Sequence, residues 1–94
     1  YSIGPFNFSV IKTPGHKEDA VSFYFKKEKM LFSGDFLFYE TVGRCDLPGG
    51  SIEDMQRSID KIKKYPHDIK VYPGHGISTT LEHEIENNIY FREE

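Results

Sequence analysis

Period-two alternation opens the chain. In Phe6-Asn7-Phe8-Ser9-Val10-Ile11 large apolar residues alternate with small or polar ones before Lys12 and the stop at Pro14-Gly15, the pattern of a half-buried β-strand. Val21-Ser22-Phe23-Tyr24-Phe25 predicts a second strand and Met30-Leu31-Phe32 a third, with the charged Lys26-Lys27-Glu28-Lys29 between them as a solvated hairpin tip. Phe36-Leu37-Phe38-Tyr39 is strongly apolar but leads into Gly43-Arg44-Cys45-Asp46-Leu47-Pro48-Gly49-Gly50, the composition of an irregular loop. The period then changes to that of a helix: Ile52, Met55, Ile59 and Ile62 form one apolar stripe, Ser51 offers an N-cap with Asp54 three residues on, and Glu53 with Arg57 and Asp60 with Lys64 are expected to pair on the wet face. That helix should end near Tyr65-Pro66. Ile69-Lys70-Val71-Tyr72 predicts a short buried strand, and Thr79-Thr80 can cap a last helix from Leu81 to about Tyr90. Leu81, Ile85 and Ile89 are spaced for one face of it, with Glu82 and Glu84 near its positive end.

Composition narrows the class. Ninety-four residues make one domain, 1–94, with a modest core, and eight Phe and six Tyr argue for bulky sheet-facing side chains rather than disorder. A net charge of −3 gives no reason to expect a nucleic acid partner. The single cysteine, Cys45, excludes an internal disulfide and fits a reducing compartment. With no long apolar run and no basic-then-apolar leader, the expectation is a cytoplasmic protein without a membrane span. The chain opens at Tyr1 with no methionine before Met30, so it is expected to be a piece of something longer.

Candidate chemistry lies at three glycine-flanked turns, each following a predicted strand: Thr13-Pro14-Gly15-His16, Ser33-Gly34-Asp35 and Pro73-Gly74-His75-Gly76. Imidazole, carboxylate and imidazole are donors for zinc or for non-haem iron. His67 and His83 belong to no such motif and are expected on the surface. Arg44 could anchor its own loop to Asp46 or a backbone carbonyl.

The order TPGH, LFSGD, VYPGHG resembles the C-terminal half of a metallo-β-lactamase-fold hydrolase, and Val42-Gly43-Arg44-Cys45-Asp46-Leu47-Pro48-Gly49-Gly50 looks most like the glyoxalase II-like branch. This resemblance implies half of an αββα sandwich, of class α/β (α+β): a mostly antiparallel sheet with two helices on one face. It also implies two Zn2+ ions in the full-length site, His16 on the first, His75 on the second, and Asp35 as the bridging carboxylate of a catalytic centre where a metal-held hydroxide attacks a thioester of hydroxyacylglutathione type. Arg44 occupies the place of a basic substrate-binding residue. Iron is the other metal the family uses, in persulfide dioxygenases of the same fold.

The family's upstream His-x-His-x-Asp-His motif is absent, leaving each metal two donors from this chain. The chain alone is therefore expected to be inactive, and its uncovered sheet face to pair with a missing N-terminal half or with a second copy in a homodimer. A non-catalytic association module is the remaining alternative.

Overall fold

Alternation along the strands sorts the side chains into two faces, and the register makes the sorting explicit. The computed structural model of the chain describes residues 1–92. In chain order the strands are β1 (Ser2–Ile3), β2 (Phe6–Asn7), β3 (Ser9–Lys12), β4 (Val21–Phe25), β5 (Met30–Gly34), β6 (Leu37–Phe38) and β7 (Thr41–Val42). Helix α1 (Ile52–Ile62) follows, then β8 (Lys70–Pro73), β9 (Thr79–Thr80), helix α2 (Leu81–Asn87) and a 3-10 turn at Ile89–Phe91. The central sheet has the order β3-β4-β5-β8-β9, with β5 and β8 parallel and the other neighbours antiparallel.

One cross-strand row, Tyr24, Leu31, Val71 and Thr79, points inward and is buried. There it meets Met55, Ile59 and Ile62 of α1, Leu81 of α2, and Phe91, all in one core. The adjacent row, Val10, Phe23, Phe32 and Tyr72, lies on the opposite face. Among the described residues no helix covers that face, and Phe23 and Phe32 keep 41% and 39% of their surface exposed. Aromatic stacking offsets part of the exposure: Phe8 lies on Phe25 with ring centres 5.1 Å apart, and Phe32 on Tyr72 at 5.4 Å. A cavity of about 400 Å³ remains among Ile3, Phe8, Phe23, Phe25 and Phe32.

The caps form as the sequence predicts. Ser51 Oγ accepts from the Asp54 N–H (3.1 Å), and Thr80 Oγ1 from that of His83 (3.1 Å). Other expectations are corrected. The first strand breaks at Phe8, so that Phe6–Asn7 pairs with β1 and only Ser9–Lys12 joins the central sheet. In the apolar stretch that leads into the predicted irregular loop, β6 and β7 form a small hairpin. Ile52 does not join the buried stripe: it is the first residue of α1, projects past the core and is 77% exposed, while Ser58 is buried instead. Arg57 pairs with Asp54 (3.0 Å), and Asp60 accepts from Gln56 (3.0 Å), three- and four-residue spacings different from the expected pairs. The last helix stops at Asn87 because Asn88 takes an extended conformation, which resets the phase and buries Phe91 rather than Ile89. Glu84, expected near the helix's positive end, is fully buried. Among the described residues no helix is long and apolar enough to cross a membrane.

Replacing Ser51 by Ala removes the acceptor for a helix N–H and should lower stability by about 1 kcal/mol. A urea melt with unchanged slope and a lower midpoint is the expected result.

Candidate metal centre

Strand direction brings the three turns together. β4 runs antiparallel to both β3 and β5, and β8 is parallel to β5, so β3, β5 and β8 all run the same way and end on one rim of the sheet. His16 follows β3, Asp35 follows β5 directly, and His75 follows β8 by two residues. A bulge after Phe32 turns the chain out of β5 towards Asp35, with Gly34 at φ +53, a left-handed conformation that suits glycine. The Gly74 N–H donates to the Gly34 carbonyl (2.9 Å), tying the second and third turns together.

Helix α1 holds the first turn. Ser58 Oγ donates to the Pro14 carbonyl (2.7 Å), the Ser51 N–H donates to the Gly15 carbonyl (2.7 Å), and Gly15 lies so close to Met55 that a Cβ there would stand 2.7 Å from the Met55 Cα. His16 is then oriented by the loop after β7. Its Nδ1 lies 2.8 Å from the Arg44 carbonyl oxygen, which can only accept, so Nδ1 carries the proton and the neutral ring keeps a lone pair on Nε2. Gly43 makes this approach possible: a Cβ there would collide with the Asp35 carbonyl oxygen and come within 3.1 Å of the His16 Cβ.

His16 Nε2 lies 3.7 Å from Asp35 Oδ2, and His75 Nδ1 lies 3.8 Å from Asp35 Oδ1. Both separations exceed a hydrogen bond. They match the spacing of two donors about 2.0–2.2 Å from one shared cation, and a lone pair on Nε2 is what a metal requires. Each carboxylate oxygen faces a different imidazole, as a carboxylate between two cations would. Among the described residues no three His, Cys, Asp or Glu side chains gather closely enough to hold an ion by themselves. The three side chains thus form two separate pairs about Asp35, one with His16 and one with His75. Phe38 backs the His75 ring, with ring centres 4.6 Å apart.

The Arg44 guanidinium forms a fork with Asp46, Nε to Oδ1 at 2.8 Å and Nη2 to Oδ2 at 3.0 Å, so the loop-anchoring contact is present. The guanidinium holds the Asp46 carboxyl below its usual range. Cys45 is half-buried, its thiol donates to the Gly43 carbonyl (3.4 Å), and burial, then the Asp46 charge, push its pKa up. His67 is exposed. His83 is half-buried, 2.7 Å from Glu40 Oε2 and stacked on Tyr39, away from the three turns. Sequence reasoning did not find the backbone roles of Gly43 and Arg44. A glycine five residues before the Pro48-Gly49-Gly50 run marks a loop but not which atoms it approaches.

The sequence profile of the Metallo-beta-lactamase superfamily matches residues 1–75. A probable metallo-hydrolase of Streptococcus pyogenes serotype M6 is 44% identical over 92 residues, spanning 97% of this chain and 40% of that protein. A hydroxyacylglutathione hydrolase of Haemophilus influenzae is 37% identical over 84 residues, 88% of this chain and 40% of its own. The crystal structure of the BLEG-1 B3 metallo-beta-lactamase superposes with a TM-score of 0.93 at 44% identity, covering 99% of this chain and 45% of that one. The chain thus spans about two-fifths of the length of these relatives and has the architecture of half their sandwich, a mostly antiparallel sheet with both helices on one face.

The Arg44–Asp46 fork has a defined acid limit. Asp46 titrates lower in the folded loop than in the unfolded chain, where an aspartate has a pKa of about 3.9, so near that pH the unfolded form binds more protons and the loop's stability rises with pH. The contribution is present above the ordinary value and is lost as pH falls through the lowered one. Resonances of Arg44 to Asp46 followed by NMR between neutral pH and pH ~3 should shift together at the acid end, and Asp46→Asn should remove that transition.

Proposed function

The chain belongs to the Metallo-beta-lactamase superfamily, and on that premise we propose that it is the C-terminal, metal-holding half of a zinc hydrolase acting on thioesters of the hydroxyacylglutathione type. The observation that carries this reading is the Asp35 carboxylate with its two oxygens turned to two different imidazoles. The thioester rests on the likeness to the Haemophilus influenzae hydroxyacylglutathione hydrolase. A bound dication supplies a water nucleophile at neutral pH and polarises the carbonyl to be attacked.

This chain's residues have distinct tasks in that scheme. His16 with Asp35 would hold one cation, and His75 with Asp35 would hold the other. The Arg44 carbonyl keeps the His16 proton on Nδ1, so that Nε2 stays available. The exposed Arg44 guanidinium receives an anionic group of the substrate, which takes over the fork from Asp46. A catalytic zinc has three protein ligands, one more than each half-site offers, so the remaining donors come from outside these residues. The same outside portion covers the face displaying Phe23 and Phe32, and without it two copies pair through that face.

Metal analysis and thioester hydrolysis by the full-length protein test the assignment. Asp35→Asn or His16→Ala should reduce zinc affinity by more than the roughly 10–100-fold typical of losing an outer-shell partner, with hydrolysis falling to background. Unchanged metal content in both variants, or iron in place of zinc together with oxygen uptake, would overturn it. The 94-residue chain alone should sediment as a dimer or larger and bind a hydrophobic dye, while Phe23→Lys should shift it towards monomer. A clean, dye-negative monomer of the parent chain contradicts the pairing.

A further inference from the structure

Glu84 is a fully buried carboxylate whose oxygens are filled by donors from three places. Oε1 accepts from the Glu40 N–H (2.9 Å) and from Asn88 Nδ2 (2.7 Å), and Oε2 accepts from Thr79 Oγ1 (2.9 Å). A polar side chain is tolerated at such depth when its hydrogen-bonding capacity is satisfied in this way. Thr79 and Asn88 flank α2 in sequence, but Glu40 is at the tip of the β6–β7 hairpin, held in a left-handed conformation at φ +59. Asn88 Nδ2 also reaches the Thr41 carbonyl (3.2 Å). Glu84 and Asn88 thus grip the backbone of two consecutive hairpin residues, at the N–H of residue 40 and the carbonyl of residue 41.

The gripped segment leads directly to the metal centre. Val42 pairs with Leu37, the Gly43 N–H donates to the Phe36 carbonyl (3.1 Å), and Gly43 lies against the Asp35 carbonyl and the His16 Cβ. One residue further on, the Arg44 carbonyl accepts the hydrogen bond from the His16 Nδ1–H. A hairpin free to shift would carry that carbonyl off the imidazole and loosen the backbone beside Asp35.

We propose that Glu84, acting with Asn88, is a positioning residue of the metal centre: by pinning residues 40 and 41 it holds the Arg44 carbonyl on His16 Nδ1 and so keeps the Nε2 lone pair facing Asp35. Its functional consequence rests on His16 being a ligand, but the orientation of the ring can be read without metal.

Ring nitrogen–proton correlation spectra of His16 in the metal-free full-length protein at mildly alkaline pH, paired with zinc competition titrations, test the proposal. The parent should show one tautomer, protonated at Nδ1. Glu84→Gln, which retains an acceptor for Glu40 and Asn88, and Thr79→Val, which removes only the third donor, should keep it. Glu84→Leu and Asn88→Ala should give mixed tautomers and weaken zinc by about 10–100-fold, and Asn88→Ala decides the matter if Glu84→Leu does not fold. A folded Asn88→Ala variant with parent-like His16 signals overturns the proposal. Equal disturbance by Thr79→Val also overturns it, because the effect would then follow stability alone. A parent with the expected tautomer and variants behaving as above but no zinc binding supports the positioning role and refutes the metal reading.

Discussion

Parallel pairing of β5 with β8 is the constraint from which the remaining geometry follows. Two parallel neighbours cannot be joined by a tight turn, so the chain must leave the sheet, cross over it and return. Helix α1 makes that crossing, and in doing so places Met55, Ile59 and Ile62 on the inner face of the sheet. The same pairing sets the carboxyl ends of β5 and β8 side by side, which is why Asp35 and His75 become neighbours although they lie forty positions apart in the chain. Core and candidate site are thus two results of one strand arrangement.

The crossing helix has a second duty at its amino-terminal end. Ser51, Met55 and Ser58 all press on the Pro14-Gly15 turn, so His16 is fixed from below by the helix and from the side by the Arg44 carbonyl. Asp35 is fixed by a bulge and by the close approach of Gly43. His75 is held less firmly: it rests against Phe38, and 78% of its side chain is exposed. The two sides of Asp35 therefore differ in preorganisation, with the His16 side the more rigid.

Much of this was legible in the sequence, because the signals were local. The three glycine turns, the Ser51 and Thr80 caps and the inward alternation of Tyr24 and Leu31 each depend on residues within a few positions of one another. What escaped depends on distant partners. Glu84 looks like a first-turn acid complementing a helix end, and nothing near it shows that Glu40, 44 positions earlier, donates to it. Ile89 fits a continued helical stripe, but Asn88 ends the helix by capping the next turn with its own side chain, so the extrapolated phase fails there. Ile52 has the right spacing, yet a helix's first residue can lie beyond the core it serves. Arg44 drew attention through its guanidinium, whereas its peptide carbonyl makes the contact with His16, and a backbone role leaves no mark in residue type.

Cys45 acquires a use from its surroundings. Its sulfur is bent back onto the Gly43 carbonyl, half-hidden against the core, and kept in the slow-reacting thiol form by burial and by the neighbouring Asp46 charge. Alkylation is slow in this setting and speeds up when the segment lifts away. Because this thiol is the sole sulfhydryl in the chain, the speed of its labelling becomes an intrinsic clock for opening of the strap that bears on His16, readable without any introduced probe.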